Sequence, residues 1–314
     1  MGPDEFHERY PGAKKGGVRD NAYTNIMVCW LLHKTIETVE YVPDGVIKRL
    51  SGKIGFNTAE MDWWRDIVSK MNVVISEDGI LAQHDVFFEL QEIDWDYYRE
   101  RYGSTHRMER ILKAEGDSPD RFQVIKQADV LQLFHLLSPR QVAHILRLMG
   151  YPVDDEQDFA QKNYDYNIER TSHGSTLSFV VHCAILRYLN IHRKYMLSRY
   201  LIALESDVYD LRGGTTAEAV HCGVMGGTLD IVFKAFAGIN IFKDHIHIDP
   251  HLPEHWERVS FKVVLRNNWL AIDLDHHTIH LRHLGGDGGF GVQVGEQRHN
   301  VTSGETLKLT YGNV

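Results

Sequence analysis

Apolar residues recur at helical spacing through most of the chain before residue 240. One stripe opens on the capping box 138–141 (SPRQ), with Pro139 at the first helical position. Apolar residues then follow at intervals of three and four until Gly150: Val142, Ile145, Leu146 and Met149. A second stripe contains Leu177, Val181, Ala184 and Tyr188, and a third covers residues 228–236. These patterns predict a mainly α-helical region.

The segment 21–39 differs from these stripes because it is apolar on nearly every side. A helix without a polar face is typical of a position that is buried all round. We therefore predict that this helix lies inside the helical region, as an inner helix of a helical barrel does.

After residue 240 the apolar period changes to two, which is typical of strands with one buried face. The alternating apolar residues include Leu270, Ile272, Leu274, Ile279, Leu281, Leu307 and Leu309. Asn267-Asn268 indicates a hairpin turn, and the glycine-rich stretch 285–289 indicates a loop. The predicted fold is mainly α with a C-terminal all-β domain, an antiparallel β-sandwich, and the predicted domains are 1–240 and 241–314.

Composition narrows the class of partner. The chain has 314 residues, 43% hydrophobic and 25% charged, which is ordinary for a soluble globular protein. Its net charge of -9 argues against nucleic acid and anionic membranes as partners. The longest apolar run, 26–32, is far shorter than the roughly 20 residues of a membrane helix. Three cysteines without a CxxC pair and a polar beginning without a signal peptide predict a cytoplasmic protein.

Two clusters carry candidate chemistry. Glu5 stands beside Phe6 and His7, and a carboxylic acid among aromatic rings can serve as a general acid. An acidic N-terminal tail is the competing interpretation. Lys126 and Gln127 precede a predicted helix and could hold sugar hydroxyls or an anion, although capping of the helix explains them equally well.

Two further blocks resemble anion sites. Residues 170–178 (RTSHGSTLS) place hydroxyls, a histidine and a glycine before a predicted helix, where free N–H groups and the helix dipole favour anions. A plain Ser/Thr cap is the alternative. Residues 215–228 combine small residues with His221, which could donate to phosphate or be a satisfied buried histidine. At 20–25, capping by Asp20 and Asn21 is favoured over ligand binding.

Other signals point to structure rather than chemistry. His245 and His247, like the pair 276–277, lack cysteine or carboxylate partners at a known metal-site spacing. Cys183 and Cys222 are interpreted as core residues rather than nucleophiles. No metal and no cofactor are therefore expected.

The blocks, taken in order, resemble glycoside hydrolase family 65, the inverting disaccharide phosphorylases that act on maltose, trehalose, kojibiose and related sugars. Residues 2–7 (GPDEFH) are similar to the family signature that contains the general acid, with Phe6 where the family usually has tyrosine. Residues 20–25, 126–129, 170–178 and 215–230 match later family blocks, and 249–256 (DPHLPEHW) resembles the entry into the family's C-terminal β domain.

The resemblance implies part of an (α/α)6 barrel followed by a β-sandwich. Family members carry an N-terminal β domain and the first half of the barrel before the acid, so the chain resembles the C-terminal half of such an enzyme. By the resemblance, Glu5 is the general acid, Lys126 and Gln127 bind the donor glucose, and a homodimer is suggested. The implied phosphate-binding residues are His173, Gly174, Ser175, Thr176 and His221.

The expected reaction uses one carboxylic acid, because a second carboxylate would repel the phosphate nucleophile. Inorganic phosphate, as co-substrate, would convert an α-linked glucose disaccharide to β-glucose 1-phosphate and a free sugar, with inversion. Two alternatives stay open: a hydrolase of the same family with a base such as Glu218, and a non-catalytic carbohydrate-binding fragment.

Overall fold

A computed structural model describes residues 6–127, 129–190, 193–209, 219–242, 244–286 and 288–312. Within these residues eleven α-helices are followed by eight strands. The helices are α1 (Ala22–Tyr41), α2 (Asp44–Ile54), α3 (Glu60–Lys70), α4 (Trp95–Tyr102), α5 (Met108–Ala114), α6 (Gln132–Leu136), α7 (Pro139–Leu148), α8 (Glu156–Arg170), α9 (Leu177–Leu186), α10 (Met196–Glu205) and α11 (Cys222–Ile231). The predicted succession of a helical region and a β region is confirmed.

The capping box at the start of α7 forms as the sequence predicts. The Ser138 hydroxyl accepts from the Gln141 N–H at 3.3 Å, and the Gln141 side chain accepts from the Ser138 N–H at 2.8 Å. The apolar stripe of α7 is buried, because Val142, Ile145 and Leu146 face the main helical core. Local capping and burial therefore agree at this helix.

The prediction that the helix over 21–39 is buried on all sides is wrong. Ala22, Ile26, Cys29 and Ile36 are buried along one face of α1, whereas Leu31 is 58% exposed. An apolar composition does not cover a helix by itself, since burial needs a neighbouring element on each side. Among the described residues, α3, α6 and α7 pack against α1.

The eight strands form two four-stranded sheets that enclose a second apolar core. The strands are β1 (Ile239–Ile241), β2 (His245–Ile248), β3 (Val259–Leu265), β4 (Asn268–Leu274), β5 (Thr278–Gly285), β6 (Phe290–Val294), β7 (Gln297–Val301) and β8 (Thr306–Thr310). One sheet has the order β1-β2-β6-β7 and the other β3-β4-β5-β8. All neighbours are antiparallel except β2 and β6, which pair in parallel.

The hairpin between β3 and β4 turns one residue earlier than Asn267-Asn268. Arg266 and Asn267 have φ values of 48° and 62°, so both occupy the left-handed region that a tight two-residue hairpin turn requires. Asn268 instead begins β4 opposite Leu265, and its side-chain amide donates to the Arg266 carbonyl at 2.9 Å. Arginine is an unusual residue for this conformation, which is why the composition pointed to the two asparagines.

Candidate phosphate and sugar site

The predicted acid Glu5 and the alternative base Glu218 lie outside the described residues, but the chain directly after Glu5 is firmly held. Phe6 is buried in a small apolar cluster that includes Val124. The His7 Nε2 lies 2.9 Å from the Phe122 carbonyl oxygen. The Glu8 N–H donates to the Asp120 carboxylate at 2.8 Å. Residues 6–8 are thus bound to the segment that leads into Lys126 and Gln127.

The Lys126-Gln127 block is joined to the block 170–178 by backbone hydrogen bonds. Ile125 pairs in parallel with Thr171: the Ile125 N–H donates to the Arg170 carbonyl at 2.8 Å, and the Ser172 N–H donates to the Ile125 carbonyl at 2.7 Å. Two segments that are about 45 residues apart in the sequence therefore run side by side. Sequence spacing gave no indication of this pairing.

Gly174 lies close to Lys126 of the neighbouring segment. A Cβ at this position would lie 2.9 Å from the His106 carbonyl oxygen and 3.1 Å from Cγ of Lys126. Only glycine lets the backbone come so near to the lysine side chain. Lys126 and Gly174, predicted in separate motifs, are therefore neighbours.

His173 is oriented by its own helix. Its ring stacks on Phe179 with centroids 4.6 Å apart, and its Nδ1 lies 2.8 Å from the Ser178 hydroxyl. The Ser178 hydroxyl gives its single proton to the Ser175 carbonyl at 2.8 Å, so it accepts from the Nδ1–H of His173. The His173 backbone has a φ of 54°, which lies in the left-handed region that non-glycine residues rarely adopt.

Ser175 and Thr176 stand at the start of α9. The Ser175 hydroxyl accepts from the Leu177 N–H at 3.3 Å, so the capping alternative describes part of its role. Thr176 is buried at the N-cap position, and its side chain makes no capping hydrogen bond. The block thus combines a helix start with polar side chains, which is an arrangement that favours an anion.

His221 precedes α11 and is fixed by Asp207. The Asp207 carboxylate accepts from the His221 backbone N–H at 2.6 Å and lies 2.6 Å from its Nδ1. Asp207 is almost fully buried, whereas about a third of the histidine side chain is exposed. With Nδ1 bound to the carboxylate, Nε2 is the ring atom that can meet a ligand. Sequence reasoning missed Asp207, because nothing in its local pattern marks a partner fourteen residues away.

Helices α9 and α11 begin at the same end of the helical region. The Cys183 Sγ, in the second half of α9, contacts the Met196 carbonyl at the start of α10 at 3.2 Å, so α10 returns antiparallel to α9. Asp207, two residues beyond α10, then binds His221 at the start of α11. At Gly227 a Cβ would lie 2.5 Å from Val180 Cγ1, so α11 packs directly on α9. Two helix N-termini are thereby directed to one face.

Beneath this face lies a histidine in an apolar setting. His182 is fully buried, and burial, with a smaller contribution from Arg199, lowers its pKa from 6.5 to about 3. It is therefore neutral at physiological pH. Its ring lies 5.1 Å from that of His173, edge to face. Burial also raises the pKa of the neighbouring Cys183 thiol, which agrees with a core role and not with a nucleophile.

The prediction that Cys222 is a core residue is wrong, since its side chain is exposed at the start of α11. The signals at Asn21 and Asp20 have structural roles. The Asn21 side chain caps α1 by accepting from the Thr24 N–H at 3.0 Å. Asp20 accepts from the Asn72 amide at 2.7 Å. Within the described ranges no three histidine, cysteine or carboxylate side chains converge as a metal site. No described helix has the length and apolar character needed to cross a membrane.

The fold is of the class in which a helical region, with polar blocks at its helix starts, is followed by a two-sheet β region. The profile of the glycosyl hydrolase family 65 central catalytic domain matches residues 1–230, and that of the family's C-terminal domain matches residues 239–301. The chain therefore belongs to glycosyl hydrolase family 65.

Curated relatives and a solved structure agree with this membership. The chain is 37% identical to an uncharacterized glycosyl hydrolase of Mycobacterium tuberculosis, over 91% of the chain and 21% of the relative. It is 37% identical to trehalose 6-phosphate phosphorylase of Lactococcus lactis, over 88% of the chain and 34% of the relative. It is 28% identical to kojibiose phosphorylase of Halothermothrix orenii, over 91% of the chain and 34% of the relative.

A human-microbiome protein described as a candidate kojibiose phosphorylase has the same fold, with a TM-score of 0.71, 21% identity, and coverage of 99% of the chain and 39% of that structure. The chain spans only about a fifth to a third of the length of the curated relatives above.

Proposed function

We propose that the chain carries the phosphate-binding part of an inverting glycoside phosphorylase. The observation that carries the proposal is the common face on which α9 and α11 begin. On that face, His173, Gly174, Ser175 and Thr176 precede α9, and His221 precedes α11. Helix N-termini, hydroxyls and an oriented imidazole together favour a phosphate.

The chemistry needs a single protein acid. Glu5 protonates the glycosidic oxygen, the bond between that oxygen and the anomeric carbon breaks, and the acceptor sugar leaves with the proton. A phosphate oxygen attacks the anomeric carbon from the opposite face and forms the new bond, which inverts the configuration. The Glu5 carboxylate regains a proton from solvent before the next turnover. Phosphate is already an anionic nucleophile, so no second carboxylate is needed to activate water.

The proposed substrate is an α-linked glucoside, and the proposed products are β-glucose 1-phosphate and a free sugar. Lys126 and Gln127 are proposed to bind the donor glucose. The contact between Lys126 and Gly174 supports this, since it places the lysine beside the proposed phosphate residues. The names of the relatives, which include phosphorylases of trehalose 6-phosphate and kojibiose, support the reaction type and leave the acceptor sugar to be determined.

A hydrolase of the same family is the second candidate, since the Mycobacterium relatives are described as glycosyl hydrolases. It would need a base such as Glu218 to activate water. A carbohydrate-binding chain without turnover is the third candidate, because the match covers only about a third of the phosphorylase relatives.

The test is production of glucose 1-phosphate from trehalose 6-phosphate, trehalose, kojibiose and maltose, with and without inorganic phosphate. The assay uses two proteins: the chain by itself, and the product obtained when its reading frame is extended upstream. Phosphate-dependent glucose 1-phosphate supports the proposal, and the panel identifies the sugar. Free glucose without phosphate supports the hydrolase, and sugar binding by calorimetry without turnover in either form supports the binding chain.

In the active form, Glu5→Gln tests the acid. We expect about a 10²- to 10⁴-fold loss of turnover, because the amide cannot donate the proton. Glu8→Gln is the matched control, since Glu8 is an exposed carboxylate three residues away. Turnover of Glu5→Gln close to that of Glu8→Gln would reject Glu5 as the acid.

A further inference from the structure

A polar cavity lies at the opposite end of α9 from the proposed phosphate site. It has a volume of about 640 Å³ and is bordered by α6, α7, the end of α9, the π-helical turn Val232–Phe236 and β1. Arg187 at the C-cap of α9 lines it, whereas Thr176 is the N-cap of the same helix. Ten helical residues separate these ends by roughly 15 Å, so the two sites are distinct.

The lining of this cavity is strongly basic. Four permanent cations contribute to it, and no carboxylate is part of the described lining: Arg140, Arg147, Arg187 and Lys234. His135 and His144 also line it. A concave surface with one sign of charge concentrates ligands of the opposite sign.

Two of the four cations are balanced by carboxylates outside the cavity. Arg147 pairs with Glu156 at 3.0 Å, and Lys234 pairs with Asp230 at 2.6 Å. The other two have no carboxylate partner among the described residues. Arg140 is exposed at the start of α7, and Arg187 lies 4.4 Å above the Tyr188 ring with its Nε buried and without a hydrogen-bond partner. An uncompensated buried guanidinium nitrogen is costly unless a ligand satisfies it.

The two histidines add hydrogen-bonding groups and not charge. Burial lowers the pKa of His135, and Lys234 and Arg187 lower it further, against the opposing effect of Asp230. Burial is the main cause that lowers the pKa of His144, and the nearby His33 is the next. Lys34 and Arg147 also lower this pKa, whereas Glu37 raises it. The positive charge at neutral pH therefore belongs to arginine and lysine. Arginine presents a planar fork that matches phosphate oxygens in pairs.

We propose that this basic cavity binds a small molecule that carries a diphosphate group. Two uncompensated guanidinium groups match an anion with more than one charged centre, and the volume exceeds the needs of a single phosphate. Phe242, half exposed, also lines the cavity and stacks on His245 at 4.7 Å, so an aromatic surface is available to the rest of the ligand. Inorganic pyrophosphate and a nucleoside diphosphate share this chemistry.

The test is calorimetric titration of the whole chain with inorganic pyrophosphate and, separately, with ADP, at constant ionic strength. We expect one pyrophosphate site, which Arg140→Ala weakens about tenfold because one charge-assisted hydrogen-bonding group is lost. Tighter binding of ADP than of pyrophosphate would indicate that the aromatic surface is used, and equal binding would identify the diphosphate as the whole determinant. Arg140 is exposed and forms no ion pair with a described carboxylate, so the folded state should be unaffected, which circular dichroism can check.

Two controls separate this proposal from its alternatives. Arg282→Ala removes an exposed arginine on β5 and should leave pyrophosphate binding unchanged. Equal weakening by Arg282→Ala, or no binding by the unsubstituted chain, would overturn the proposal. His221→Ala should also leave pyrophosphate binding unchanged. Loss of pyrophosphate binding in this variant would show that pyrophosphate binds at the proposed phosphate site instead of the basic cavity. The two functions can therefore fail independently.

Discussion

The helical and β regions differ in how completely their buried polar side chains are hydrogen-bonded. In the described β region, the buried polar side chains are Asn268 and His283, and each has one hydrogen bond to a backbone carbonyl, while Asn268 Oδ1 and His283 Nε2 are unpaired. In the described helical region, Gln83 and His182 are buried without a hydrogen-bond partner on either polar end, and the Ser172 hydroxyl is also unpaired. An unpaired buried polar group costs roughly 1–3 kcal/mol.

This difference distinguishes residues that mainly stabilise the fold from residues that we associate with ligand binding. The sandwich core follows the rule that apolar residues fill an interior, so its residues are replaceable only at a cost in folding free energy. The helical region retains polar groups that destabilise it, and two of them, Ser172 and His182, lie before and within α9, the helix that begins at the candidate site. Polar groups kept at such a cost are typical of a site that meets a ligand. Substitutions in the two regions should therefore have different signatures.

The largest expected effect on stability is in the sandwich. Leu281 is fully buried on β5, and Leu281→Ala should lower the free energy of unfolding by about 2–5 kcal/mol through lost burial and a cavity. Urea denaturation measures this change. Leu284→Ala on the same strand is the matched control, since Leu284 is 42% exposed and should change stability by less than about 0.5 kcal/mol. Similar losses in both variants would contradict the assignment of the core.

Gly174→Ala should produce a mixed signature at the helical face. The new Cβ would press on the His106 carbonyl and on Lys126, so we expect about 1–3 kcal/mol of destabilisation. It should also weaken phosphate binding at least several-fold, because the neighbouring groups are displaced. Gly52→Ala in α2 is the control, with open space around the Cβ and a gain in stability of up to about 1 kcal/mol. Unchanged phosphate binding in folded Gly174→Ala would separate this glycine from the site.

The third effect depends on pH and is absent at neutral pH. His182 has a folded-state pKa of about 3, below the 6.5 of an exposed histidine. In the unfolded chain, His182 is protonated below about pH 6.5, whereas in the folded chain it stays neutral until about pH 3. The folded state therefore loses stability as the pH falls through this window. In His182→Gln the dependence of unfolding free energy on pH should be shallower by up to about 1.4 kcal/mol per pH unit. Parallel stability curves for the two proteins would contradict a neutral buried His182.

Features with a local cause were predictable from the sequence. The capping box of α7 and the alternation of β4 and β5 depend on residues close in the chain, and both formed as predicted. The exposed side of α1 and the turn at Arg266 were not predictable, because neighbouring elements and backbone geometry decide them.

The site residues were found as separate blocks, and their assembly required the structure. The pairing of Ile125 with Thr171 and the bond between Asp207 and His221 join segments that no sequence periodicity connects. Glu5 lies outside the described residues, so its role stays a prediction. The domain boundary after residue 240, the cytoplasmic location, the absence of a cofactor and the homodimer also stay predictions.

The central claim is that phosphate binds where α9 and α11 begin. The most direct test is an NMR titration of the histidine-labelled chain with inorganic phosphate, in which His173, His221 and His277 are assigned by single substitutions. We expect saturable shifts of the His173 and His221 imidazole signals and no shift of exposed His277 on the β region. Signals of His173 and His221 that stay unchanged at saturating phosphate would contradict the account.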